Sequence, residues 1–151
     1  MYRIETLLRK SGLPYLKKEL VCEEEKYVNK PKTVWKLLNT YFSLGKQTEE
    51  KVYMLAMDTK NKIIGTFEIS HGIINQSFCN PREILMKALL CNANRIILAH
   101  NHPSGDVAPS MEDLRSWKRI KEASALIGIE ALDSIIVSRT EYCSLSEYNN
   151  K

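Results

Sequence analysis

No apolar run in these 151 residues approaches the roughly 18–20 positions of a membrane-spanning helix. The length also falls well short of the about 250 residues typical of a TIM barrel. Cys22, Cys79, Cys91 and Cys143 include no C-x-x-C pair, so they form no zinc-finger framework. The opening Met-Tyr-Arg-Ile-Glu-Thr-Leu-Leu-Arg-Lys alternates charged and apolar residues and has no signal-peptide core. The expectation is a cytoplasmic protein whose cysteines are reduced and mostly buried. Two zinc chemistries lack their motifs: no H-E-x-x-H marks a thermolysin-like helix, and no H-x-E with P-C-x-x-C marks a nucleobase deaminase. Internal repeats, low-complexity tracts and linkers are absent too. Charge of one sign is scarce: 22 Lys and Arg against 18 Asp and Glu leave +4, which is short of a nucleic-acid-binding stripe.

What is there describes one globular domain, with 44% apolar and 26% charged residues. Residues 1–30 carry the weakest pattern. Pro14 interrupts a first helical stretch, Glu23, Glu24 and Glu25 form an acidic run, and a strand is expected near Leu20–Val28. This segment reads as draped on a domain that spans 31–151. Pro31 suits the first turn of a helix with Val34, Leu37, Leu38, Tyr41 and Leu44 on one face, closed by Gly45. Val52–Met57 is a continuous apolar run of buried-strand length. The polar turn Asp58–Lys62 and a second strand over Ile63–Ile69 complete a hairpin. Asn80-Pro81-Arg82-Glu83 combines an N-cap, proline at the first position and an acid three residues on. The helix that follows is expected to bury Ile84, Leu85, Ala88 and Leu89.

A second apolar strand, Ile96–Ala99, runs into His100. After a loop bearing Pro and Gly, Ser110 opens a long helix with Leu114, Trp117, Ile120 and Ile127 inward, closed by Gly128. Ile135–Val137 and a short strand near Tyr142–Leu145 finish the chain. The fold class is α/β: a single, three-layer-like domain with a mixed β-sheet flanked by helices.

The chemistry concentrates in His100–Asp113, which holds two of the three histidines. Strand side chains alternate, so the imidazoles of His100-Asn101-His102 point to the same side. Two convergent imidazoles chelate a cation when a third ligand arrives, and the loop lets the new helix aim Asp113 at them. Two nitrogens and one carboxylate oxygen leave a fourth tetrahedral position for water, the pattern of catalytic zinc. A plainer reading competes for Ser110-Met111-Glu112-Asp113: Ser caps the helix and Asp113 reaches back as the capping-box acid.

The string His-Asn-His-Pro-Ser-Gly-Asp, then Ser110 and Asp113, resembles the JAMM (MPN+) zinc-peptidase signature, and specifically its RadC branch. Leu55–Asn61, Asn-Pro-Arg-Glu at 80–83 and Ile96–His100 fall in the family's order, so the resemblance covers roughly residues 31–147. It implies the JAMM/MPN architecture, which is cytidine-deaminase-like. It implies zinc as cofactor, held by His100, His102 and Asp113, with Ser110 steadying the oxyanion. The family's catalytic glutamate stands just before a core strand. Glu50 matches that place, with Glu49 as its neighbour, and alternation puts one of the two on the metal side. The implied activity is hydrolysis of amide bonds in a peptide or protein substrate, peptide or isopeptide, with a metal-activated water.

Three departures accompany the resemblance. Residues 1–30 are too short for the helix-hairpin-helix-like region usual in such chains. Asn80 stands where the family often has His, and Val-Ala-Pro follows Gly105-Asp106 where Pro-Thr-Pro is more usual. None touches a proposed ligand.

The alternative from another class is a DNA-repair-associated nucleic-acid or protein-binding module with a structural or vestigial zinc. Its basic face would comprise Arg95, Arg115, Lys118, Arg119 and Lys121, although Glu112 and Glu122 intersperse them as on a solvated helix. An exposed sheet edge suits peptide docking or a homodimer. His71 reads as a surface or supporting residue, Cys79 as a small buried one, and Trp35 and Trp117 as core or rim.

Overall fold

The computed structural model describes residues 1–24, 26–71 and 80–148. Seven strands form one mixed sheet in the order β2-β1-β4-β3-β5-β6-β7. They are β1 (Tyr2–Leu8), β2 (Pro14–Leu20), β3 (Lys51–Met57), β4 (Ile63–His71), β5 (Arg95–Asn101), β6 (Glu130–Val137) and β7 (Tyr142–Ser144). The helices are α1 (Pro31–Phe42), α2 (Pro81–Leu90), α3 (Met111–Leu126) and the short α4 (Leu145–Tyr148). β1 runs parallel to β4 and β5 to β6, while the other pairings are antiparallel.

The continuous apolar runs become central strands because both faces of the sheet are covered. Tyr53, Leu55 and Met57 of β3 pack with Val34, Leu38 and Phe42 of α1. The alternate residues Met54 and Ala56 pack on the opposite face with Ile84 and Ala88 of α2 and Ile120 of α3. β5 divides the same way: Ile97 and Ala99 lie on the α1 side, Ile96 and Leu98 on the α2/α3 side. The result is the expected three-layer α/β domain. Phe67 and Leu38 are fully buried, and complete burial of such a side chain contributes roughly 1.5–3 kcal/mol.

Local signals account for the element ends. Pro31 occupies the first turn of α1, and the helix stops at Ser43, whose φ of 51° is left-handed. Leu44 therefore sits in a separate 3₁₀ turn (Leu44–Lys46), not in the helix that Gly45 was expected to close. Asp58 Oδ1 accepts the amides of Lys60 and Lys62 at 2.8 and 3.0 Å, which tightens the β3–β4 turn. Asn80 caps α2 by accepting the Arg82 amide at 3.1 Å.

The first twenty residues differ from expectation. They form a hairpin paired along seven positions, from Tyr2↔Leu20 to Leu8↔Pro14. Pro14 begins an edge strand, where the missing N–H costs no ladder bond. The strand expected near Leu20–Val28 reduces to an isolated bridge between Tyr27 and Lys62. Leu89 is 59% exposed and Ile127 44% exposed, so neither belongs to the inward stripe of its helix. Ile129, 3% exposed, takes the core position just after α3. Among the described residues no helix is long and apolar enough to cross a membrane.

Candidate metal centre

β5 carries the chain from the core to the site. Ala99 faces the α1 layer, so alternation turns His100 to the α2/α3 side, where α3 begins. His100 is 6% exposed, and its Nε2 lies 3.1 Å from Nε2 of His102. His102 Nδ1 donates to the Asp106 carbonyl at 2.7 Å, so in the neutral imidazole the Nε2 lone pair faces His100. That carbonyl is the orienting partner that metal-ligating histidines commonly have. It escaped the sequence because a backbone acceptor has no residue-type signature.

Asp113 comes from the first turn of α3 and is 8% exposed. Its Oδ1 is 3.0 Å from His100 Nε2, and its Oδ2 is 3.6 Å from His102 Nε2. The capping box is also present. Asp113 Oδ2 accepts from the Ser110 amide at 2.7 Å and from Ser110 Oγ at 2.6 Å, while Ser110 Oγ accepts from the Asp113 amide at 3.1 Å. The two readings of this tetrapeptide are therefore one arrangement: the cap holds the carboxylate beside the imidazoles. Burial opposes ionisation of Asp113, but hydrogen bonds with His100, His102 and Ser110 outweigh it and hold the carboxyl far below the usual range. The His102 imidazole is pushed up, first by Asp113, against burial and with help from the Asp106 carbonyl.

Glu50 completes the group. Its Oε1 is 3.9 Å from His100 Nε2, and its side chain is 14% exposed. Burial raises its carboxyl pKa, with the two imidazoles opposing. Glu49 is exposed, and its carbonyl accepts from Asn101 Nδ2 at 3.0 Å. Glu50, His100 and His102 each offer a donor atom within 4.8 Å of the others, a cluster able to hold a metal ion.

The remaining sequence candidates fall elsewhere. Arg95 is tied to Glu130 at 2.8 Å, to the Thr59 carbonyl at 2.9 Å and to Asn61 Oδ1 at 2.8 Å, so it adds nothing to a basic face on α3. Trp117 is core, whereas half-buried Trp35 donates to the Ser138 carbonyl at 3.0 Å. Cys79 lies outside the described residues, and of His71 only the backbone, opposite Lys51, is described.

A family model for the RadC-like JAB domain matches residues 28–150. The chain is 39% identical over 127 residues to a UPF0758 protein of Methanosarcina barkeri, covering 84% of this chain and 55% of that protein. A UPF0758 protein of Clostridium botulinum is 43% identical over 117 residues, 78% of this chain and 50% of its own length. One from Finegoldia magna is 46% identical over 102 residues, 68% of this chain and 46% of its own. The chain thus spans about half the length of the curated relatives it matches. By the extent of these matches, the chain belongs to the RadC-like JAB domain family.

Proposed function

We propose that this chain is a zinc-dependent hydrolase of amide bonds, peptide or isopeptide, with His100, His102 and Asp113 as ligands. One observation carries the reading: two imidazoles and a carboxylate converge at donor spacing. Donors about 2.0–2.1 Å from a tetrahedral zinc lie about 3.3 Å apart. The 3.1 Å between the imidazoles and the 3.0 Å from His100 to Asp113 Oδ1 lie near that value, while His102 meets the carboxylate through its other oxygen, Oδ2, at 3.6 Å. Glu50, at 3.9 Å from His100, belongs to the same cluster but lies beyond the spacing of adjacent tetrahedral donors, so we assign it to a hydrogen bond with a water beside the metal. Three such ligands would leave a fourth tetrahedral position for water, as catalytic zinc requires.

Zinc bound there supplies acidified water and a polarised carbonyl. Glu50 takes the proton of the attacking water and returns it to the departing nitrogen. Asp113 stays ionised throughout and keeps its charge toward the two histidines. Ser110 donates to the oxygen on which negative charge develops, a contribution of roughly 2.7–4 kcal/mol for one well-placed donor. In the structure its proton is committed to Asp113 Oδ2, so catalysis requires the hydroxyl to rotate away.

Metal content of the purified protein tests the reading, measured beside His102→Ala. The expected result is about one zinc per chain, absent from the variant, followed by cleavage of members of a peptide or isopeptide library. A protein that takes up no zinc at neutral pH even when supplied with it sinks the proposal.

A further inference from the structure

We infer that Asn101, the residue between the two histidines, is the positioning residue that holds Glu50 over the site. The inference rests on Glu50 acting beside the metal as described above. Glu50 itself lies outside any regular element, in the segment that leads from the 3₁₀ turn into β3. Its carboxylate is useful only at a fixed distance from His100, so something has to anchor the chain on either side of it.

The β3–β5 ladder ends at Val52↔His100. Beyond that pair, the side chain of Asn101 takes the place of the main chain. Its Oδ1 accepts the Lys51 amide at 2.8 Å, and its Nδ2 donates to the Glu49 carbonyl at 3.0 Å. A longer contact of 3.5 Å reaches the Gln47 carbonyl. A carboxamide offers one acceptor and two donors in a plane, as a peptide group offers one of each. Asn101 therefore adds one peptide-like rung past the end of the ladder, and its two shorter bonds grip the residues on each side of Glu50.

Alternation explains why this residue is available. His100 and His102 face the α2/α3 side, so Asn101 faces the α1 side, from which the loop carrying Glu50 arrives. It is 1% exposed. A buried amide that loses a partner leaves polar groups unsatisfied, and this one has its partners in the Glu50 segment. One strand end thus aims three side chains: two imidazoles at the metal and an amide at the backbone of the base.

Cobalt(II), loaded into the full chain in place of zinc, gives a readout independent of turnover through its visible absorption. Three variants are compared with the unaltered protein: Asn101→Ala, Glu50→Gln and the double variant. Asn101→Ala is expected to bind one cobalt per chain and to show the same spectral change as Glu50→Gln, with no further change in the double variant. If Asn101→Ala keeps the unaltered spectrum while Glu50→Gln changes it, the inference is overturned and the zinc reading stands. Loss of cobalt from Asn101→Ala also overturns it, since the residue then serves the histidines. An unaltered spectrum in Glu50→Gln removes Glu50 from the metal's surroundings and defeats both the inference and the assignment of the base. Should Asn101→Ala not fold, Asn101→Asp makes the same comparison, because it keeps the acceptor for Lys51 and loses the donor to Glu49.

Discussion

Ser110 and Asp113 are bonded to each other three ways: the serine amide and hydroxyl both reach Asp113 Oδ2, and the aspartate amide reaches Ser110 Oγ. The cap and the candidate ligand are one device, since the contacts that begin α3 also fix the direction of Asp113 Oδ1. Removing the hydroxyl should therefore cost twice. Ser110→Ala is expected to lower stability by about 0.5–2 kcal/mol through the lost cap, and to weaken metal binding by about 10–100-fold through the loosened carboxylate. Thermal melts of the metal-stripped protein and competition with a chelator read the two effects separately. A variant that melts earlier yet holds zinc as before would show that the cap does not orient the ligand.

The pairing of His102 with Asp113 sets a pH dependence in the metal-stripped protein. Asp113 is held far below its usual 3.8, so its contribution is complete above that value and is lost only as pH falls through the low folded value. His102 is held above its usual 6.5, so its contribution is complete below 6.5 and is lost as pH rises through the folded value. Stability should be highest between the two and decline on the alkaline side as His102 gives up its proton. Asp113→Asn should remove most of that decline. Melting temperatures across roughly pH 5 to 9, with and without the substitution, provide the check. A flat profile above pH 6.5 in the unaltered protein would contradict the pairing.

Much of this arrangement is legible in the sequence where one physical constraint acts alone. The runs Val52–Met57 and Ile96–Ala99 read as buried strands because both faces must be apolar, and Asn80-Pro81 reads as a helix start because cap and proline agree. Where two constraints overlap, the sequence separates candidates weakly. Glu49 and Glu50 have the same chemistry; the place before the core strand favours Glu50, and the backbone of the fold puts that residue beside His100. The role of Asn101 shows only when its partners arrive from fifty residues upstream. The first hairpin is illegible because just one of its apolar residues inside the strands, Ile4, is fully buried, so no period-two stripe develops. Leu89 and Ile127 mislead for the opposite reason, since each continues a helical period past the point where the helix still faces the sheet.

Glu50 should be a liability for stability. Burial raises its pKa in the fold, so at neutral pH the ionised form is favoured more in the unfolded chain than in the native one. Glu50→Gln removes that cost while keeping the shape. The variant is expected to melt higher than the unaltered protein at pH 7 when both are stripped of metal. The advantage should vanish as pH drops below about 4, where the carboxyl is protonated in both states. At this chain length each kcal/mol is worth roughly 2–4 °C, so a gain of that order is within reach of calorimetry. Equal melting temperatures at pH 7 would mean that the imidazoles fully offset the burial.

Gly45 supports Glu50 from further away, and the support is steric. Its amide donates to Asn39 Oδ1 at 2.7 Å, and Asn39 Nδ2 donates to the Ser138 carbonyl at 3.1 Å. A Cβ at position 45 would lie 2.5 Å from the carbonyl carbon and oxygen of Ser138 and 2.6 Å from the Arg139 amide nitrogen. Those atoms are backbone just past the end of β6, which cannot swing aside as a side chain does. Gly45→Ala must therefore push the segment between α1 and β3 outward, at about 1–3 kcal/mol, as overpacking usually costs. Gly12 is the contrasting case, with nothing within 4 Å of an added Cβ but a φ of +79° that strains any other residue. Both alanine variants should melt earlier, for different reasons. Only Gly45→Ala moves the chain that carries Glu50, so only it should also alter the cobalt spectrum while leaving the metal count at one. A spectral change in Gly12→Ala, or none in Gly45→Ala, would break the proposed link between this close approach and the position of the base.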